Sequence, residues 1–88
     1  MKVLWTRRAK SDYLYRSRTD QKILGIVNGL IDDISRTPFK GLGKPEPLKY
    51  KLHGWWSRRI TREDRLVYRV SGSGKNRQVE IAQCRYHY

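Results

Sequence analysis

The chain has little that would staple it together or carry it into a membrane. It has one cysteine, Cys84, so no internal disulfide, cysteine-rich zinc site or Cys-x-x-Cys redox pair is available, and a reducing compartment suits it. Only two histidines occur, and His53, ahead of Gly54, reads as a turn or surface residue with no second histidine at metal-ligand spacing. The eight acidic residues do not cluster: Asp32 and Asp33 fall at the end of an amphipathic segment, and Glu63 and Asp64 in a turn. No metal or other cofactor is expected. No run of about 20 apolar residues is present for a membrane span. The opening "MKVLWTRRAK" is too short in apolar residues for a secretory signal. These absences lead to the expectation of one soluble cytoplasmic domain over residues 1–88, a length that folds without staples and without a membrane partner.

What the chain does have is positive charge. Twenty Lys and Arg against eight Asp and Glu give +12 over 88 residues. Such a field steers polyanions inward, and phosphate contacts gain from counterion release, so nucleic acid leads the partner classes. The competing reading is a basic surface made for a protein partner. A membrane-surface helix fits less well, because the basic residues are spread along the chain instead of lying on one helical face.

The periodicities predict an α+β domain. "KVLWT" (2–6) reads as a strand, with Thr6 as cap of a helix opening at Arg7. Thr19 or Asp20 caps a second helix whose stripe is Ile23, Ile26, Val27, Leu30, Ile31 and Ile34 and which stops before Pro38. Gly25 and Gly29 within it each cost about 1 kcal/mol against alanine, so packing has to hold this helix. "TPFKGLGKPEPLKYK" (37–51) reads as a stiff ordered loop. "WWSRRIT" (55–61), "RLVYRV" (65–70) and "QVEIAQCRYHY" (78–88) read as an antiparallel meander, with both helices on one face of a mainly antiparallel sheet. Alternation puts Leu66, Tyr68 and Val70 toward the helices and Arg65, Val67 and Arg69 away from them, with Arg59 able to join the arginines. One of Trp55 and Trp56 belongs to the core by the same rule.

Two residues suit proton transfer. Glu46 stands between Pro45 and Pro47, on backbone restricted from both sides, with Lys44 and Lys49 favouring its ionised form. It reads either as a general base or as a solvated loop glutamate. His87 lies in the terminal "CRYHY" and reads either as a general acid or as a bystander. Arg59, Arg65 and Arg85 disfavour its imidazolium, while the α-carboxylate of Tyr88, one residue on, favours it. Aromatics interleave with the basic segments at Trp55, Trp56, Tyr86 and Tyr88, as platforms for unpaired bases do. A carboxylate, a histidine, cations and aromatic rings together suit metal-free cleavage of RNA through its own 2′-hydroxyl.

"RTPFKGLGKPEPLKYKLHGWWSRRIT", "RLVYRV", "CRYHY" and "DYLY" in the first helix closely resemble the YoeB (Txe/YoeB) toxins of the RelE superfamily over essentially the whole chain. The resemblance implies a RelE-like fold of the microbial-ribonuclease type. It also implies a toxin of a type II toxin–antitoxin system, an endoribonuclease that cleaves mRNA in the A site of the 70S ribosome and is restrained by a YefM-type antitoxin. By the same resemblance Glu46 is the base, His87 the acid, Arg65 the transition-state arginine, Lys49 and Arg59 phosphate-binding cations, and Tyr88 the ring that places the substrate base. A homodimer is implied weakly, and retention of the Glu/His pair implies some cleavage without the ribosome. The turn "SGSGKNRQ" is longer, and the first helix more basic, than the family leads one to expect. Two other readings compete: a non-catalytic basic adaptor for RNA or protein, and a toxin from the gyrase-poisoning branch, which would not need the acid–base pair.

Overall fold

In the computed structural model, which describes residues 1–86, strand β1 (Lys2–Trp5) leads into helices α1 (Arg7–Thr19) and α2 (Gln21–Arg36). Strands β2 (Glu46–Pro47), β3 (Trp56–Arg59), β4 (Arg65–Ser71) and β5 (Gln78–Gln83) follow. Both helix starts are capped by side chains. The Thr6 hydroxyl accepts from the Ala9 N–H at 3.1 Å, and the Asp20 carboxylate accepts from the Ile23 N–H at 3.1 Å. Each cap satisfies a donor that the first helical turn leaves unmet.

The strands form one sheet in the order β1-β5-β4-β3-β2. The β2–β3, β3–β4 and β4–β5 pairs are antiparallel, as the meander requires, but β1 runs parallel to β5, so the sheet is mixed. Parallel pairing requires a long crossover, and the two helices with the rest of the chain supply it. The core lies between the helices and one sheet face: Ala9, Val27, Leu30, Ile34, Ile60, Leu66, Tyr68, Val79, Ile81 and Cys84. Trp56 packs against it together with Ile23 and Ile31, whereas Ile26, on the edge of the same stripe, is 37% exposed.

Two expected segments differ in detail. The loop at 37–51 contains the two-residue strand β2 and runs into a 3₁₀ turn at Tyr50–Leu52. The last strand ends at Gln83 instead of running to the terminus. The register is also irregular near the end of this strand: Val67 pairs with Gln83 but Tyr68 with Ile81, so one residue is extra on β5. A bulge of this kind reverses the alternation. Val79 and Ile81 face the core, Gln83 shares the face of Val67, and Cys84 turns back inward.

Candidate active site

The loop that leads to Glu46 is held by a buried arginine. Arg58 alternates onto the core side of β3 and is 0% exposed. Its Nη1 donates to the Asp33 carboxylate and to Leu42 O (3.0 Å), and its Nη2 to Thr37 O (2.7 Å) and Lys40 O (3.0 Å). Nε donates to the Tyr68 hydroxyl (3.1 Å), which in turn donates to Pro38 O (2.6 Å). One planar donor fork thus gathers the loop after α2 onto the sheet. The Leu42 N–H and the Arg58 guanidinium hold the Asp33 carboxyl below the ordinary carboxylate range, and burial raises the Tyr68 hydroxyl above its own. Next comes Gly43, at φ +77°, whose carbonyl accepts from the Arg59 N–H at 2.7 Å. A Cβ there would lie 2.9 Å from Leu30 Cδ2 and 3.0 Å from Arg59 O, so the backbone comes as close as it does only because the residue is glycine.

From this anchor the chain reaches Glu46, which pairs with Ser57, while Pro47 pairs with Trp56. The pairing puts Glu46 on the sheet face away from the helices, in the row Glu46, Ser57, Val67, Gln83. Two residues along β3, Arg59 stands directly opposite Arg65 of β4. Sheet spacing places the Cα atoms of Glu46 and Arg65 about 12 Å apart, a span that two long side chains can close around a phosphodiester. Like charges directly opposite one another destabilise a strand pair. Arg65 offsets part of this by donating from Nη1 to Thr61 O (2.9 Å), Arg62 O (3.2 Å) and Asp64 O (3.1 Å). Among the described residues neither arginine is ion-paired with a carboxylate. Farther along the same face, Arg69 pairs with Glu80 at 2.6 Å and stacks over the Trp55 ring at 4.4 Å. Trp55 is therefore the tryptophan of the open face and Trp56 that of the core, where it meets Phe39.

Lys49 is exposed and shares with Glu46, Pro47, Leu48, Tyr50 and Leu52 a hollow of about 380 Å³. Glu46, Arg59 and Arg65 thus share the open face, whereas Lys49 lines the hollow on the other side of Glu46, past Leu48, whose N–H donates to Trp55 O. His87 and Tyr88, the remaining expected site residues, lie outside the described residues.

The chain is nevertheless held up to Tyr86. The Cys84 N–H donates to the Asp12 carboxylate of α1 (3.1 Å), and the Tyr86 N–H donates to Asp64 (2.7 Å). The Arg65 N–H donates to Tyr86 O (3.0 Å), and the Gln83 side-chain amide donates to Arg85 O (3.1 Å) and Tyr86 O (3.3 Å). Asp64 also pairs with Arg16 at 2.8 Å. Burial works to raise its pKa, but the Tyr86 N–H, the Thr61 hydroxyl and Arg16 outweigh it and keep the carboxyl below its ordinary range. Burial, reinforced by the Asp12 charge, pushes the Cys84 thiol up to about 12, so it is an inert core group. Arg58, Asp12, Asp64 and Gln83 escaped the sequence reading. Only Arg58 carried a signal there: an arginine flanked by Trp56 and Ile60 at the core-facing period of β3.

Residues 5–88 match the family described as the YoeB-like toxin of bacterial type II toxin–antitoxin systems. This chain belongs to that family. It is 53% identical over 88 residues to toxin YoeB of Escherichia coli (strain K12), with both chains covered in full. A solved YoeB/ParE toxin from Agrobacterium tumefaciens superimposes with a TM-score of 0.97 at 55% identity, again over all of both chains. The YoeB dimer from Staphylococcus aureus superimposes with a TM-score of 0.89 at 39% identity, over 100% of this chain and 98% of that one. A YoeB–YefM toxin–antitoxin complex from the same organism has been solved as a heterotetramer, and its matching chain gives a TM-score of 0.88 at 40% identity over the same shares of the two chains. The YoeB-type fold, two helices over a five-stranded sheet, is therefore the frame in which Glu46, Arg59 and Arg65 are to be read.

Proposed function

We propose that this YoeB-family toxin is a ribosome-dependent, metal-independent endoribonuclease that cleaves mRNA in the ribosomal A site and so inhibits translation. Glu46 takes the proton from the ribose 2′-hydroxyl, whose oxygen attacks the adjoining phosphorus. Arg65, Arg59 and Lys49 neutralise the charge that gathers on the phosphoryl oxygens. His87 gives a proton to the departing 5′-oxygen, and Tyr88 stacks on the substrate base. The P–O2′ bond forms as the P–O5′ bond breaks, leaving a 2′,3′-cyclic phosphate and a 5′-hydroxyl. The observation that carries this reading is the Arg59–Arg65 opposition on the open face, two cations at the cost of mutual repulsion, on the same face as a carboxylate. DNA, lacking the 2′-hydroxyl, is not cleaved by this route.

The whole chain, 1–88, acts as one domain in the cytoplasm. Its partners are mRNA, the 70S ribosome, a YefM-type antitoxin and a second copy of itself; the solved Staphylococcus aureus complexes and dimer support the last two. The test is cleavage of labelled RNA by purified protein in excess chelator, with and without ribosomes, with product ends identified and Glu46→Gln and His87→Gln alongside. Cyclic-phosphate ends that survive chelation and fall in both variants by about 10²- to 10⁴-fold, with RNA affinity kept, are the expected result. No cleavage in either setting, with RNA binding and any cellular effect kept in both variants, favours the non-catalytic adaptor.

A further inference from the structure

The hollow beside Glu46 has one wall that the acid–base reading leaves idle. Tyr50 is 91% exposed, more than any other large apolar or aromatic side chain among the described residues. Its φ of +59° is in the left-handed region, unfavourable for a residue with a Cβ. The surrounding turn fixes that conformation from both sides. Leu48 N–H donates to Trp55 O (2.9 Å), Leu52 N–H to Lys49 O (3.1 Å), His53 N–H to Tyr50 O (3.0 Å) and Trp55 N–H to Leu52 O (3.0 Å). An aromatic ring that packs against no core, on backbone held rigidly in an unfavourable conformation, contributes nothing to folding that glycine would not supply better.

We propose that Tyr50 is a stacking platform for an unpaired RNA base next to the scissile phosphate, with the exposed Lys49 and Lys51 on either side of it taking phosphates. The inference rests on the cleavage reading above and adds a substrate contact to that site. The surroundings favour a base over a protein partner. A protein hot spot sits within a contiguous apolar patch that excludes water. Here the ring stands among exposed charges, Glu46, Lys49 and Lys51, while the nearby Leu48 is buried. A flat ring framed by cations matches the way single strands are bound, base on ring and phosphate on lysine.

The experiment measures binding of a 2′-O-methyl oligonucleotide, which cannot be cleaved, by fluorescence anisotropy at fixed salt for wild type, Tyr50→Phe, Tyr50→Ala and Tyr50→Gly. Phe should bind as wild type does, and Ala and Gly about 5- to 150-fold more weakly. Tyr50→Gly should at the same time melt no lower than wild type, since it relieves the φ, which a folding role for Tyr50 would not allow. Placing an abasic linker at each position in turn should find one at which Tyr50→Ala has no further effect. Wild-type affinity in the Ala variant, or the same loss at every abasic position, overturns the stacking role. So does a variant that keeps RNA affinity but loses antitoxin binding, which makes Tyr50 a protein contact. Wild-type cleavage by Glu46→Gln overturns the cleavage reading instead, so the two failures are distinguishable.

Discussion

Arg58→Met should be among the most damaging single changes outside the catalytic set. The methionine replaces the aliphatic stem but supplies no donors. Asp33 loses its cation, and Thr37 O, Lys40 O and Leu42 O lose theirs in a place the guanidinium had kept dry. Each buried acceptor left without its donor costs about 1–3 kcal/mol, and the three carbonyls do not add in full because Asp33 is 16% exposed and water can enter from its side, so a loss of about 3–5 kcal/mol is expected. Domains are stable by about 0.05–0.15 kcal/mol per residue, or about 4–13 kcal/mol at this length, so the loss consumes between a quarter and all of it. Thermal midpoints of domains this size move by about 4–8 °C per kcal/mol, so even the smaller loss lowers Tm by about 12–24 °C. Arg58→Lys keeps the charge beside Asp33 but loses the planar fork, and should fall between the two. The assay is urea unfolding followed by two probes, with m-values compared to establish two-state behaviour. The pH dependence follows from the lowered Asp33 pKa. In the wild type this carboxylate's stabilisation is fully present above its ordinary value of 3.8 and is lost as pH falls through the lower folded value. Arg58→Met should lose part of that acid-side slope, since the Leu42 N–H, the larger cause of the lowered value, still favours the carboxylate. A loss of stability below about 1 kcal/mol, or an unchanged acid limb, would refute the view that one guanidinium organises the loop leading to Glu46.

Other consequences can be checked in the same preparations. Asp64→Ala removes the acceptor of the Tyr86 N–H and the partner of Arg16, and should lower RNA cleavage at least tenfold with little change in RNA affinity. If Asp64 acts by holding the segment that leads into His87, the same change made in His87→Gln should cost almost nothing further, and an undiminished second loss would show that it acts elsewhere. Cys84, 0% exposed with its thiol raised to about 12, should resist alkylation in the native state and react at a rate that follows unfolding across urea concentrations. Rapid labelling without denaturant would contradict its place in the core. Association with an acidic antitoxin segment should slow as salt rises, given a charge of +12, and a rate independent of ionic strength would rule out electrostatic steering.

Much of the fold was legible because its signals are local. Thr6 and Asp20 are good caps wherever they precede a helix, and the α2 stripe required a partner whatever that partner was. Glu46 was legible as a candidate because two prolines restrict its backbone with no help from the rest of the chain. Its face was not, since β2 exists only through pairing with β3. The β5 bulge was missed although the apolar alternation of "QVEIAQC" changes phase at Ala82, because which residue is extra is fixed only when β4 is laid beside it. Asp12 and Asp64 looked like ordinary surface acids, and their roles depend on backbone N–H groups 72 and 22 residues away along the chain.

The sequence by itself determined the charge, the order of the helices and of every strand but β2, the lack of an internal disulfide and the family, because composition, periodicity and contiguous motifs need no folding to be read. Tertiary structure alone decided that Arg59 meets Arg65, that Arg58 is a buried clamp while its neighbour Arg59 is a surface cation, and that Glu46 shares their open face. The physical reason is that register and burial belong to pairs of segments. Successive side chains of a strand point to opposite faces, so two adjacent arginines of identical chemistry were given opposite tasks by the neighbours that β3 acquired on folding.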